Sequence, residues 1–463
     1  MQRRAVIGND LTEGPVTKQL LRFAMPFMLS NGLQALYSMV DMVIVGNYVG
    51  SGGLSAVNIA SNLIMLITTL CMGFSMSGQV YIAQLVGNGR RDRLNATIGT
   101  MFTTIMALAL IMTLVGLTFR GGLLWLMNTP PEAWDGAMDY MRICSGGIVF
   151  IYGYNMVSAT LRGMGDSKHP LLFIFIASVI NIVLDIWFVW GWNMGVAGAA
   201  YATVIGQAVS FLWALCFLYR RRDAFGFDFR LSSFRVDRAV LKLLTKLGVP
   251  FALQMSAINI SMLFVNALIN AYGGVFASAA FGVSCKVQQI PDIMSRSIGM
   301  ATSGMAGQNL GAKKFDRAVR TVHVALMMTT GIWLVFGAIY LLWPEGIFRI
   351  FNNEAPVLAL AGICAFTAVI SYPAHAVMSP CNSFVQVVGD AKFSLIVAIL
   401  DGFVARISLS YLFGVVLGMD LFGFFLGYNL ATYVTGIPSG VYFFSGCWKK
   451  RKMLVDETPP SAA

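Results

Sequence analysis

Residues 20–49 read LLRFAMPFMLSNGLQALYSMVDMVIVGNYV. The run is long enough to cross a bilayer, which takes about 20 apolar residues. It carries one carboxylate, Asp41, well inside the apolar zone. An ionisable group at that depth is costly, so it is read as a functional site by default. The run also has a partner. Residues 18–30 read KQLLRFAMPFMLS and residues 242–254 read KLLTKLGVPFALQ, so Pro26 and Pro250 stand 224 positions apart. At the same spacing Lys18 meets Lys242, Leu20 meets Leu244 and Phe27 meets Phe251, whereas Asp41 meets Val265. The second copy keeps the scaffold and drops the charge.

The repeat extends further. AQLVGNGRRDR at 83–93 aligns with GQNLGAKKFDR at 307–317, and RGMGDSK at 162–168 with QVVGDAK at 386–392, all at the 224-residue offset. A constant spacing held over such a length marks an internal duplication. Each half should hold six spans, an even number, which keeps the two copies parallel. Repeats of this kind place a shared site near the bilayer midplane.

Composition agrees with a membrane protein. The chain has 463 residues, 57% hydrophobic and 11% charged, and a mean hydropathy of +0.72. A soluble domain carries roughly 25% charged residues. The reading is therefore an all-α polytopic membrane protein with twelve spans, near 20–49, 52–86, 94–118, 139–161, 169–190, 194–219, 244–272, 276–310, 319–343, 358–386, 393–415 and 418–447. Residues 1–19 form an N-terminal segment, 20–219 a first lobe, 220–243 a linker, 244–447 a second lobe and 448–463 a tail.

The formal charge of +11 does not point to nucleic acid, because the basic residues sit in short loops. Loops after even-numbered spans hold Arg90, Arg91, Arg93, Arg162, Lys168, Arg220, Arg221, Arg222, Lys313, Lys314, Arg317 and Lys392, and the tail adds Lys449, Lys450, Arg451 and Lys452. Loops after odd-numbered spans are nearly free of base, Arg120 and Arg349 being the main exceptions. This asymmetry predicts cytoplasmic termini in the plasma (inner) membrane. The N-terminus lacks the apolar core of a cleavable signal peptide, so the first span is expected to serve as an uncleaved one. The basic linker is expected to lie on anionic headgroups. The seven cysteines are scattered, with no zinc or disulfide spacing.

Few ionisable residues fall deep in spans: Asp41, Asp185, Lys286, Asp292, Asp401 and Arg406, with Arg142 nearer an end. Asp185 follows Asn181 by four residues, which puts both on one helix face; Tyr37 precedes Asp41 by the same step. With Thr203 from the sixth span, these residues could form an all-oxygen site for a hard cation such as Na⁺, or the two carboxylates could share a proton. The alternative is interhelical hydrogen-bond glue. In the second half Asn181 maps to Ala405 and Asp185 to Leu409. Its own charges, Lys286, Asp292, Asp401 and Arg406, either pair with one another and reach for the interface or contact substrate. Gly163-Met164-Gly165-Asp166 matches the GxGD pattern of intramembrane aspartyl proteases. Its aspartate, however, sits in a basic loop between Arg162 and Lys168, so a turn is the better reading. Walker loop, Rossmann fingerprint and HExxH motif are all absent. The chain is expected not to be an enzyme, to need no cofactor, and to draw any uphill transport from an ion gradient.

Taken together, Pro26, VDMVIVG ending at Gly46, GFSMSGQVYIAQLVGNG, ATLRGMGDSK, NIVLDIWFVW followed by GVAGAAYAT, and GMATSGMAGQNLGAKKFDRA resemble the multidrug and toxic compound extrusion (MATE) family along nearly the whole chain. The resemblance implies two six-helix bundles in a V around a central cavity. The implied activity is efflux of organic cations, drugs and other amphiphiles in exchange for H⁺ or Na⁺. It casts Asp41, Asn181, Asp185 and Thr203 as the coupling site, with Tyr37 and Asn155 as neighbours. Some members hold a carboxylate in the seventh span; here PFALQMSAINIS has Ile258 and Asn259 instead. That argues for first-lobe coupling, as in the DNA-damage-inducible branch. The expected partners are small amphiphilic or cationic substrates and membrane lipids, with no nucleic acid, and the chain is expected to act as a monomer. The 27 methionines could line an adaptable cavity. The competing reading is a flippase of a lipid-linked saccharide from the same superfamily.

Overall fold

A computed structural model describes residues 10–90 and 92–457; the outermost parts of the expected N-terminal segment and tail, 1–9 and 458–463, lie outside the described residues. The chain is built of α-helices. In the first half these are Val16–Tyr48, Ser51–Asn88, Asp92–Leu126, Pro131–Gly146 continued by Ile148–Gly163, Lys168–Asp185 continued by the π-helical turn Ile186–Gly191, and Gly195–Arg220. The second half has Arg238–Gly311, Phe315–Leu342, Ala361–Val388, Ala391–Ile399 continued through Leu400–Ala405, Arg406–Tyr411 and Leu412–Val416, and Asp420–Leu430 with Thr432–Phe444.

The 74-residue helix Arg238–Gly311 is two spans joined at Gly274, whose φ of 69° no regular helix accommodates. Gly50, 224 positions earlier, takes φ 87° at the same turn in the first half. A side chain at either place would meet the steric cost of positive φ. Among the described residues, nine helices are each long and apolar enough to cross a membrane. Separating the merged pair at Gly274, and joining the interrupted fourth and twelfth, gives the twelve spans the hydropathy predicts.

Three boundaries differ from that prediction by six residues or more, one being the end of the third helix, at Leu126 and not near 118. The fourth helix begins at Pro131, not near 139, because a proline at the first helical position starts a polar turn carrying Glu132 and Asp135. Hydropathy does not register such a turn. The helix of the seventh span begins at Arg238, inside the expected linker. Asp237 caps it: its Oδ1 accepts from the backbone N–H of Ala239 at 2.8 Å and Val240 at 3.2 Å.

The chain divides into two compact units, and their limits do not follow the linker. Met25–Val249 falls in one unit, and Thr12–Ala24 with Pro250–Glu457 in the other. The linker packs on the third span within the first unit. Thr103 Oγ1 donates to the Phe234 carbonyl at 2.7 Å, Asn95 Nδ2 donates to Ser233 Oγ at 3.1 Å, and the Phe234 ring meets Phe102 edge-on at 5.1 Å. In the second unit, Trp448 is 1% exposed and Arg451 pairs with Asp390 at 2.9 Å, which ties the start of the tail to the eleventh span.

The GxGD stretch is a helix start. Asp166 Oδ1 accepts from the backbone N–H of Lys168 at 3.1 Å and His169 at 3.2 Å. Its repeat copy Asp390 accepts from Phe393 N–H at 3.1 Å. Gly165 and Gly389 supply the left-handed residue before each cap, with φ 86° and 85°.

Candidate functional site

The fifth span carries two of the expected residues, and its geometry explains why they point inward. Asn181 and Asp185 are 3% and 0% exposed. Asp185 is the last α-helical residue before the π-helical turn Ile186–Gly191. Such turns widen the helix locally and recur at functional sites. The sixth span approaches this face closely. A Cβ on Gly206 would stand 3.0 Å from the Ala177 carbonyl oxygen and 3.4 Å from the Asn181 Cβ, so the glycine eases a close approach of the two helices there. That contact brings Thr203 into range, and Asn181 Nδ2 donates to Thr203 Oγ1 at 3.5 Å.

Asp41 enters from the first span, 7% exposed, within electrostatic reach of Asp185. Tyr37, one turn before it, lies beside Gln207 and within electrostatic reach of both carboxylates and of Tyr154. Tyr140 of the fourth span lies beside Thr203 and within electrostatic reach of Asp41. The site thus draws on spans one, four, five and six, all within the first unit. Asn155 is half-buried and its amide donates to Ile151 O at 2.9 Å within its own helix. Three neighbours were not singled out from the sequence: Tyr140, Tyr154 and Gln207. Gln207 follows Thr203 by four residues, so helical spacing could have flagged it; the two tyrosines have no such signal, because tertiary packing alone brings them in.

Four buried oxygens of this cluster have no hydrogen-bond partner: Oδ1 of Asp41, both Oδ atoms of Asp185 and Oδ1 of Asn181. Hydrogen-bond glue would be satisfied by its neighbours, and it contributes only about 0.6 kcal/mol per pair in membranes. Each carboxylate costs about 2.5–3.5 kcal/mol at a helix centre even on the lenient insertion scale. The arrangement is therefore too expensive for glue alone. All-oxygen donors with two carboxylates suit a proton or a hard monovalent cation. Among the described residues there is no group of three or more His, Cys, Asp or Glu that could hold a metal ion.

The second-half charges are arranged differently. Asp401 is 0% exposed, pairs with Arg406 Nε at 3.1 Å and accepts from Thr435 Oγ1 at 2.8 Å. The Arg406 guanidinium lies 5.0 Å over the Tyr428 ring. Asp292 pairs with Arg296 one turn on at 2.7 Å, and Lys286 is exposed. Asp401 and Arg406 neutralise each other, as do Asp292 and Arg296. His375 stacks on Trp333 at 4.7 Å and contacts Thr432 Oγ1 at 3.4 Å, a packed histidine. Val265, at the place of Asp41, is 0% exposed within an apolar cluster that includes Ile269, Phe281 and Trp333.

Comparison with known proteins agrees with the duplication. The family model MatE matches the chain twice, over residues 26–187 and 250–412, each match starting at the repeated proline. The probable multidrug resistance protein YpnP of Bacillus subtilis (strain 168) is 28% identical over 452 residues, 97% of this chain and 99% of its own length. The probable multidrug resistance protein NorM of Thermotoga maritima is 22% identical over 96% of this chain and 95% of its own. A solved structure described as the outward-facing conformation of a multidrug resistance MATE family transporter of the MOP superfamily superposes with a TM-score of 0.90 at 23% identity, covering 97% of this chain and 100% of that one. With its model matched in both halves, over most of the chain, the protein belongs to the MatE family of multi-pass membrane transporters, which are not enzymes.

Proposed function

We propose that the protein is a secondary active antiporter that exports organic cations, drugs or other amphiphiles in exchange for H⁺ or Na⁺. It would act as a monomer in the plasma membrane, with both termini cytoplasmic, and need no cofactor beyond the coupling ion. The observation that carries this reading is the set of four unpartnered buried oxygens on Asp41, Asp185 and Asn181. Loading that set with a proton or Na⁺ removes the cost of bare carboxylates and changes which packing of spans one, five and six is preferred. Export follows if the ion and the substrate favour different states of the carrier, since a ligand shifts an equilibrium only by its differential affinity for the two. Relatives named for multidrug resistance support the substrate class. The asymmetry supports coupling in the first half: the second half puts Val265 and Leu409 where the first has Asp41 and Asp185.

The test is efflux of a fluorescent organic cation from proteoliposomes under an imposed pH gradient or an imposed Na⁺ gradient, for wild type and Asp41→Asn. One gradient should drive efflux in the wild type and fail to drive it in Asp41→Asn. If neither gradient moves any cation tested with folded protein, the drug-efflux reading falls and flipping of a lipid-linked saccharide becomes the function to assay.

A further inference from the structure

Arg93 and Arg317 stand 224 residues apart, in the first turns of Asp92–Leu126 and Phe315–Leu342. Each holds a segment of chain that leads into a half other than its own. Arg93 is 3% exposed, and its Nη1 donates to Asp237 Oδ2 at 2.9 Å. Asp237 is the cap of the helix that opens the second half, and its own N–H donates to Thr100 Oγ1 at 2.9 Å. Arg317 Nη1 donates to the Gly14 carbonyl at 2.6 Å, and its Nη2 donates to the Glu13 carbonyl at 2.8 Å and to Gln19 Oε1 at 2.7 Å. Lys314 Nζ adds bonds to the carbonyl and hydroxyl of Thr12 at 3.0 and 3.1 Å. Glu13 and Asp237 are also 224 residues apart. The same arginine of each half therefore clasps the same lead-in residue of the other.

Packing continues the exchange. Val16, Leu20, Phe23 and Ala24 are at most 5% exposed and belong to the second unit, while the chain from Met25 belongs to the first. Their counterparts Val240 and Leu244 are fully buried in the first unit. Ser77 Oγ donates to the Leu244 carbonyl at 3.2 Å, and a Cβ on Gly248 would stand 3.1 Å from the Phe74 backbone. The changes of unit at 24/25 and 249/250 fall within two residues of Pro26 and Pro250. So the helix that carries Asp41 starts anchored in the unit that lacks the coupling carboxylates.

We propose that Arg93 and Arg317 are positioning residues of the transport cycle: reciprocal anchors that make the first and seventh spans the rods through which a change of packing at Asp41 reaches the other unit. Energetic coupling between distant sites is carried by rigid secondary elements and the hydrogen-bond and salt-bridge networks that join them. The clasps hold each rod through charge-assisted bonds, which are shorter and stronger than neutral ones. The inference rests on coupling at Asp41 as proposed above.

The test compares wild type with Arg93→Gln, Arg317→Gln and the double variant, full-length and in proteoliposomes. Dye efflux kinetics and hydrogen exchange over residues 12–24 and 237–249 are the two readouts. The expected result is faster exchange in the segment each arginine holds. Maximal efflux rate should fall about tenfold in the double variant, with the half-saturating dye concentration within roughly twofold of wild type. Arg317→Lys should recover part of the rate, because an ammonium can meet one or two of the three acceptors. Unchanged exchange in both segments overturns the clasps, and wild-type efflux alongside raised exchange overturns their role in transport. If wild type moves no dye under either gradient, the proposed function fails, and the exchange readout still decides whether the arginines hold these segments.

Discussion

Asp401 and Arg406 are five positions apart, a spacing that an α-helix sets about 140° apart around its axis. They meet because Leu400–Ala405 is π-helical, and i→i+5 bonding brings the fifth residue back over the first. The position 224 residues earlier is ordinary α-helix within Lys168–Asp185, whereas the π-helical turn Leu412–Val416 does echo Ile186–Gly191 in the first half. The turn at 400–405 is thus an addition of the second half, and it serves to neutralise a buried charge. Breaking a buried pair leaves the survivor uncompensated at a cost of about 3–5 kcal/mol. Asp401→Asn should therefore lower the unfolding temperature of the detergent-solubilised protein by several degrees. Asp401→Leu with Arg406→Met should recover most of that loss in the same melt. At Asp185 the sign is opposite, because its oxygens have no partner to lose: Asp185→Asn should raise the unfolding temperature or leave it unchanged while abolishing gradient-driven efflux.

At the level of elements, the linker is held by its fit to the third span. A Cβ on Gly99 would overlap the Ser233 carbonyl oxygen, so that backbone segment lies directly on the helix. Asp228 belongs to the same linker segment, where it accepts from the backbone N–H of Arg230. The hydroxyl of Ser233, donating to it at 2.5 Å, keeps its carboxyl below the usual range, assisted by Arg230 and Asn95. A depressed carboxylate stabilises the arrangement at neutral pH, and that contribution is lost as pH falls through its folded value. Gly99→Val should lift residues 232–235 off the helix. Hydrogen exchange across 228–237 would report this as faster labelling, with the exchange of Lys168–Asp185 unchanged.

For the whole molecule, the proposed orientation can be read out with native thiols. Cys216 and Cys447 are exposed, while Cys71, Cys144, Cys364 and Cys381 are buried. Cys447 follows the last span, on the side where Lys449, Lys450 and Arg451 gather. A membrane-impermeant maleimide should label Cys447 in inside-out vesicles and spare it in intact cells. Labelling of Cys447 from outside intact cells would reverse the predicted topology.

Chain order determined a good deal. Run lengths set twelve spans because hydrocarbon thickness admits little else. The 224-residue offset exposed the duplication, and residues four apart on a helix placed Tyr37 with Asp41 and Asn181 with Asp185. Packing decided the rest. Tyr140 and Tyr154 reach the site from the fourth span through packing that no sequence spacing marks. The pairing of Asp401 with Arg406 depends on a π-helical turn that hydrophobic periodicity cannot announce. The exchange of lead-in segments between units was likewise invisible, since Arg93 and Arg317 look like ordinary loop charges until their acceptors are known. The physical reason is common to all three. Solvent preference and helical period are local and survive in a linear string, whereas which distant carbonyl or carboxylate satisfies a buried charge is set by contacts the chain makes only when folded.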